Sequence, residues 1–224
     1  GLYYFNTVLK EQAISKKQLE LELTTRSVDD WLISRISDLV LLSRARILSE
    51  NDMSEIKKVL IDEQHRLSFL YEKFWIIMPQ GDYWNTDNET GNMAGHKILN
   101  SFIIRDRYLS YIIPDNDDSI IGNSIILAVP IYQADILRQV LCVTVPFQWF
   151  SRVILNFTSS FFDEILVVDP SGTIISHKNS ELIGKRESDI FHRVFSVYTE
   201  LEKSHVFIST LKNNWKLVGI INKE

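Results

Sequence analysis

The sequence predicts an α+β protein: one long N-terminal helix followed by two tandem modules, each an antiparallel sheet flanked by helices. Three observations predict it. Residues 6–48 contain neither Gly nor Pro, and their apolar residues recur at three- and four-residue steps. Beyond residue 73 the pattern changes to short apolar runs rich in β-branched and aromatic residues, set between turn signals. A strand–turn–strand pattern occurs twice, at 75–86 and at 165–177, and each copy is followed by a loop or helix and two further strands.

The elements follow in order. In the long helix, Val28, Trp31 with Leu32, Ile36, Leu39 and Leu42 form the buried stripe. Its first half is more polar and reads two ways, as a segment that pairs with another helix or as a solvated helix end. Residues 49–52 break the helix, and 54–69 form a second one with Ile56, Leu60 and Leu67 on one face. The run Phe74-Trp75-Ile76-Ile77-Met78 is a buried strand, 79–82 a turn, 83–86 its partner and 87–95 a polar loop. Residues 103–113 mix charge with aromatics, and 114–122 read as an acidic turn. The long apolar runs 124–132 and 138–145 make a hairpin in the middle of an antiparallel sheet. Residues 147–157 are a connecting helix that buries Phe150, Val153 and Ile154. Strands at 164–169 and 173–177 flank the turn Pro170-Ser171-Gly172. A loop at 179–185, a helix at 189–201 and strands at 206–209 and 215–220 complete the chain. The expected division is a helix at 1–48, a first module at 49–150 and a second at 151–224.

With 224 residues, 45% hydrophobic and 24% charged, the chain buries a sizeable core. A formal net charge of −5, with both signs spread along the sequence, argues against nucleic acid as a partner, because phosphate binding needs a concentrated basic face. The one cysteine, Cys142, lies in an apolar run and reads as a small buried hydrophobe. No stretch reaches the ~18 uninterrupted apolar residues of a membrane span, no signal peptide is visible, and both ends read as cut from a longer chain.

Enzyme signatures are absent from the sequence. His65, His96, His177, His192 and His205 show no metal-ligand spacing, and there is neither a Gly-rich phosphate loop nor a Gly-x-Ser-x-Gly elbow. No catalytic residue, metal ligand or cofactor is therefore assigned. The pair Asp29-Asp30 reads as solvent-facing. The cluster Asp115, Asp117 and Asp118 lacks the ligand spacing of a calcium loop and reads as a solvated turn.

Several segments, taken in order, carry a resemblance. They are the helix through Trp31-Leu32, the strand and turn 74–85, the segment Arg105-Asp106-Arg107-Tyr108-Leu109, the strand 122–130, the run 167–177 with Leu182-Ile183-Gly184-Lys185, and the closing Asn214-Trp215-Lys216-Leu217-Val218. Together they resemble the double Cache (tandem PAS-like) sensor domains of bacterial chemoreceptors, histidine kinases and diguanylate cyclases. The resemblance covers nearly the whole chain. It implies a membrane-distal and a membrane-proximal PAS-like module and a periplasmic segment of an inner-membrane receptor for signal transduction. The sensor would not itself be an enzyme, and it would form a homodimer through the N-terminal helix. The output domain stays open.

The resemblance also implies a ligand site in the distal module. Arg105 or Arg107, in a segment similar to the family's Asp-Arg-x-Tyr-Phe signature, would hold a carboxylate by paired N–H donors. Tyr108 and Tyr111 would supply walls and hydroxyls, Trp75 and Trp84 stacking surfaces, and Asp118 a polar contact. Each has a plainer reading: Arg105 and Arg107 as surface charges beside Asp106, Trp75 as core. Trp31, Trp149 and Trp215 read as core or interface. Amino-acid-binding members place an aspartate at the end of the last distal strand. Here that place falls in Val143-Thr144-Val145-Pro146, without an acid, so a carboxylate or neutral ligand is expected rather than a standard amino acid. The alternative function is a ligand-free module of the same fold that docks a periplasmic protein.

Overall fold

The computed structural model of the chain describes residues 2–49, 52–96, 98–99, 111–115, 122–158, 161–186 and 204–222. The long helix α1 spans Leu2–Ser43. It ends sooner than the expected residue 48. The N–H groups of Arg44 and Ala45 turn back to the carbonyls of Leu41 and Leu42, a three-residue closure that tightens the last turn. A short helix α2 follows at Arg46–Ser49, then α3 at Met53–Arg66. Asp52 caps α3 by accepting from the backbone N–H of Ser54 (3.0 Å) and Glu55 (3.4 Å).

The chain forms two compact units. One comprises Leu32–Pro146; the other comprises Gly1–Trp31 together with Phe147–Glu224. Helix α1 thus contributes residues to both.

In the unit Leu32–Pro146, six strands form one antiparallel sheet: β1 (Lys73–Ile77), β2 (Asp82–Asn85), β3 (Thr90–Asn92), β4 (Tyr111–Asp115), β5 (Ser124–Gln133) and β6 (Ile136–Pro146). Their order is β3-β2-β1-β6-β5-β4. The central hairpin is longer than expected, because the turn between β5 and β6 takes only Ala134 and Asp135, both at positive φ (48° and 64°). Two successive left-handed residues give the twist that joins antiparallel strands directly. Strand β4 had no strand signature in the sequence, since Pro114 and Asp115 read as a turn. It lies at the sheet edge, where the missing N–H of a proline is tolerated.

The other unit opens with α4 (Phe147–Phe157), whose Phe147, Phe150, Ser151 and Ile154 are buried, with Val153 only half-buried. Its sheet consists of β7 (Glu164–Val168), β8 (Ile174–His177), β9 (Ser204–Thr210) and β10 (Lys216–Asn222), in the order β8-β7-β10-β9. Asp169 builds the β7–β8 turn by accepting from the N–H groups of Ser171 (2.9 Å) and Thr173 (2.7 Å). The expected helix 189–201 lies outside the described residues.

Both sheets share a topology. In β2-β1-β6-β5 and in β8-β7-β10-β9, the first strand of a hairpin pairs on its other side with the last strand of its sheet. The repeated strand–turn–strand of the sequence is this recurring half-sheet.

Aromatic packing organises the second unit. The Phe150 ring lies 5.9 Å from both Trp31 and Trp215, between centroids. The expectation for Asp29 is corrected: it is buried, and its carboxylate accepts the backbone N–H of Lys212 at 3.0 Å, tying α1 to the β9–β10 turn. Asp30 is exposed.

Candidate functional site

Strand alternation gives the six-stranded sheet two faces. The odd-numbered β1 residues and the even-numbered β6 residues share one face, as the register shows: Lys73 opposite Thr144, Trp75 opposite Cys142, Ile77 opposite Val140. Phe74 and Ile76 point the other way, and Phe74 meets Tyr71 there edge-on, with 5.6 Å between ring centroids.

The segment after β3 covers the first face. Met93, Ile98 and Leu99 pack with Trp75, Ile77, Ile126, Val140 and Cys142 into one buried cluster, and Tyr83 flanks the Trp75 ring at 5.2 Å. Gly81 makes this possible. Its N–H and carbonyl bond to Met78 and Met93, its φ is +104°, and a Cβ on it would lie 2.4 Å from the Ala94 nitrogen.

One rung crosses this face through five strands. Asn85, Trp75, Cys142, Ala128 and Tyr111 are successive Cα partners from β2 to β4. Trp75 and Tyr111 are thereby placed on the same rung. Trp84 lies on the opposite face, the helix side of the sheet. Its indole N–H donates to Asn88 Oδ1 at 3.3 Å, and the Lys57 ammonium lies 5.3 Å from its ring centroid. Trp75 therefore faces the covered side of the sheet and Trp84 the other. Arg105, Arg107, Tyr108 and Asp118 lie outside the described residues.

Among the described residues, two buried polar atoms on the covered face have no hydrogen-bond partner. Trp75 is 2% exposed and Thr144 1% exposed, and neither Trp75 Nε1 nor Thr144 Oγ1 is paired. A buried polar group left unpaired costs about 1–3 kcal/mol. Thr144 was not singled out in the sequence as a binding residue. Its signal was there to read: it is the one hydroxyl in the apolar run 140–146, on the alternate positions that share a side with Trp75.

The charges beside these atoms are matched. The Lys73 ammonium contacts Asp87 at 2.8 Å and Glu89 at 3.2 Å. Burial works against its charge, but hydrogen bonds to Asp87 and Glu89 prevail and hold its pKa above the ordinary lysine value. Asn85 Nδ2 donates to Glu89 at 2.6 Å, and this bond, together with the Lys73 ammonium, holds the Glu89 carboxyl low. Burial pushes the Cys142 thiol up, so it stays protonated and unreactive. Among the described residues, no three His, Cys, Asp or Glu side chains converge as a metal site, and no helix is long and apolar enough to cross a membrane.

No family model matches the chain, and no curated protein matches it in sequence. Solved structures do match in fold. The ligand-binding domain of the Pseudomonas fluorescens chemoreceptor CtaA, in complex with L-isoleucine, superposes with a TM-score of 0.70 at 15% identity, over 97% of this chain and 95% of that one. The sensory domain of the Campylobacter jejuni chemoreceptor Tlp3 with isoleucine bound gives 0.64 at 14% identity, over 96% and 95%. A domain of a sensory box/GGDEF family protein from Vibrio parahaemolyticus gives 0.67 at 12% identity, over 95% and 97%. The chain therefore has the fold of chemoreceptor sensory domains from end to end, the tandem arrangement that the sequence resemblance implied.

These neighbours correct one expectation. A standard amino acid was disfavoured for want of an acid near Val145, yet domains of this fold hold isoleucine, valine, serine and arginine. The single strand-end position was too narrow a criterion. An ammonium group needs hydrogen-bond acceptors, and a hydroxyl or carbonyl oxygen supplies one as a carboxylate does.

Proposed function

We propose that this chain is the extracytoplasmic sensory domain of a membrane-anchored signalling receptor, and that it binds a small zwitterion of the amino-acid class on the covered face of the six-stranded sheet. Two unpaired polar atoms on that face, Trp75 Nε1 and Thr144 Oγ1, carry the reading. The indole N–H is a donor only and suits a carboxylate oxygen; the hydroxyl both donates and accepts and suits an ammonium or amide. The fold of the chemoreceptor domains, whose solved complexes hold amino acids, supports the ligand class. In this reading Tyr111, on the same rung as Trp75, belongs to the site, and Arg105, Arg107, Tyr108 and Asp118 remain its candidate polar contacts.

Signalling follows from the shared helix. A ligand shifts the balance of two arrangements of α1 by its differential affinity for them, most effectively in a homodimer. Leu19, Leu23, Ile33 and Leu41 are all exposed large apolar residues of α1, and at 3.6 residues per turn they fall within about 80° of one another, which supports pairing through this helix.

The test is calorimetric titration of the purified chain with the twenty amino acids. At least one should bind, and Trp75→Phe and Thr144→Val should each weaken it by about 1–2 kcal/mol, roughly five- to thirtyfold. Undiminished binding in both variants sinks the site assignment. Binding by none of the twenty sinks the ligand class.

A further inference from the structure

The opposite face of the same sheet carries a cavity. It has a volume of about 340 Å³ and lies between the last turns of α1, the end of α3 and the 67–71 turn. Its floor is apolar: Leu39, Leu42, Leu67, Leu70 and Phe74. Phe74 directly precedes Trp75 and faces away from it, so this cavity and the covered face are separated by the thickness of the sheet.

Its polar groups are Arg35, Asp38, Glu63, Arg66 and Tyr71. Arg35 pairs with Asp38 at 3.3 Å, and Arg66 Nε donates to Glu63 at 3.1 Å. Tyr71, 1% exposed, lines the same cavity beside the Arg35 guanidinium, and among the described residues its Oη makes no well-aligned hydrogen bond. Burial pushes the Tyr71 pKa up to about 12, while the Arg35 charge draws it down by a smaller amount. The phenol thus keeps its proton and stands as a donor beside a guanidinium.

We propose that this cavity is a second binding site, for a small monocarboxylate with an apolar body. The aliphatic floor takes the body. The Tyr71 O–H and the Arg35 guanidinium donate to the carboxylate, an acceptor-only group that matches two donors. The volume lies within the range of small-molecule pockets, and an apolar lining with a few convergent polar groups is their usual composition. An occupant here touches both α1 and α3.

The test uses phenylacetate and the whole chain, followed by amide NMR. Phenylacetate should shift the resonances of residues 35–42 and 63–74, and Tyr71→Phe should weaken it at least tenfold while leaving the unliganded melting temperature equal or higher. Leu67→Trp, which fills the cavity from its apolar side, should abolish the shifts independently. Retained affinity in Tyr71→Phe, or shifts confined to 124–146, overturns the proposal, as does an ordered water that hydrogen-bonds Tyr71 Oη and is not displaced by phenylacetate. Amino-acid binding at Trp75 is read separately from the 124–146 resonances, so either site can fail without the other.

Discussion

Thr144 stands two residues along β6 from Cys142, the Cα partner of Trp75, and both Thr144 and Trp75 carry a buried polar atom that nothing in the described structure pairs. Such diagonal cross-strand neighbours lie about 7–8 Å apart on one face, within reach of long side chains. Two unpaired groups there are two costs at one place, and a ligand that pairs both removes them together.

That relationship sets the first prediction. Thr144→Val keeps the shape of the side chain and deletes an unsatisfied hydroxyl. Urea unfolding of the unliganded protein should show it unchanged or more stable by about 1 kcal/mol, where loss of a paired hydroxyl would destabilise by a similar amount.

Gly81→Ala should destabilise the unit Leu32–Pro146 by about 1–3 kcal/mol. The new methyl would meet the Ala94 backbone, 2.4 Å from its nitrogen, at a φ of +104°. Because Gly81 seats the segment that covers Trp75, amino-acid affinity should fall with stability. A ligand titration of the variant checks both.

Asp29→Ala leaves the backbone N–H of Lys212 without its carboxylate acceptor. The loss should be about 1–3 kcal/mol by denaturant titration. Asp30→Ala, on the exposed neighbour, should change stability by less than about 0.5 kcal/mol.

Acid should weaken the other unit through His177. Burial holds its imidazole below the ordinary value, against the pull of Glu164 at 3.9 Å, and its Nδ1 accepts from the Asn179 N–H at 2.9 Å. The unfolded chain therefore takes a proton near pH ~6.5 while the folded chain does not. This contribution to stability is complete above that pH and is lost as pH falls below it. His177→Gln should flatten the dependence of the urea midpoint between pH 7.5 and 5.5.

Cys142 should resist thiol reagents in the native protein. It is fully buried, and its thiol pKa is raised by that burial. Labelling with a disulfide reagent should proceed at the rate of unfolding, and fast labelling would show that the covered face opens.

Much of this architecture was legible in the sequence, because it is written in local periodicity. The helical step of Val28, Leu32 and Leu39, the apolar run at 74–78 and the repeated strand–turn–strand follow from the spacing of apolar residues, and spacing dictates which faces must be buried. The likeness to sensory domains was carried instead by the resemblance of particular segments, among them 74–85, 167–177 and 214–218. Register and partnership were not legible. Strand β4 is a strand only because β5 offers it an edge, and no periodicity within Tyr111–Asp115 announces that. Asp29 looked like a surface acid until the fold brought the Lys212 N–H to it. The two tryptophans looked equivalent until pairing placed Trp75 on the covered face and Trp84 against α3. Thr144 gained its meaning in the same way. Which polar atoms end up buried without a partner depends on contacts between residues far apart in the chain, and only the folded sheet brings those residues together.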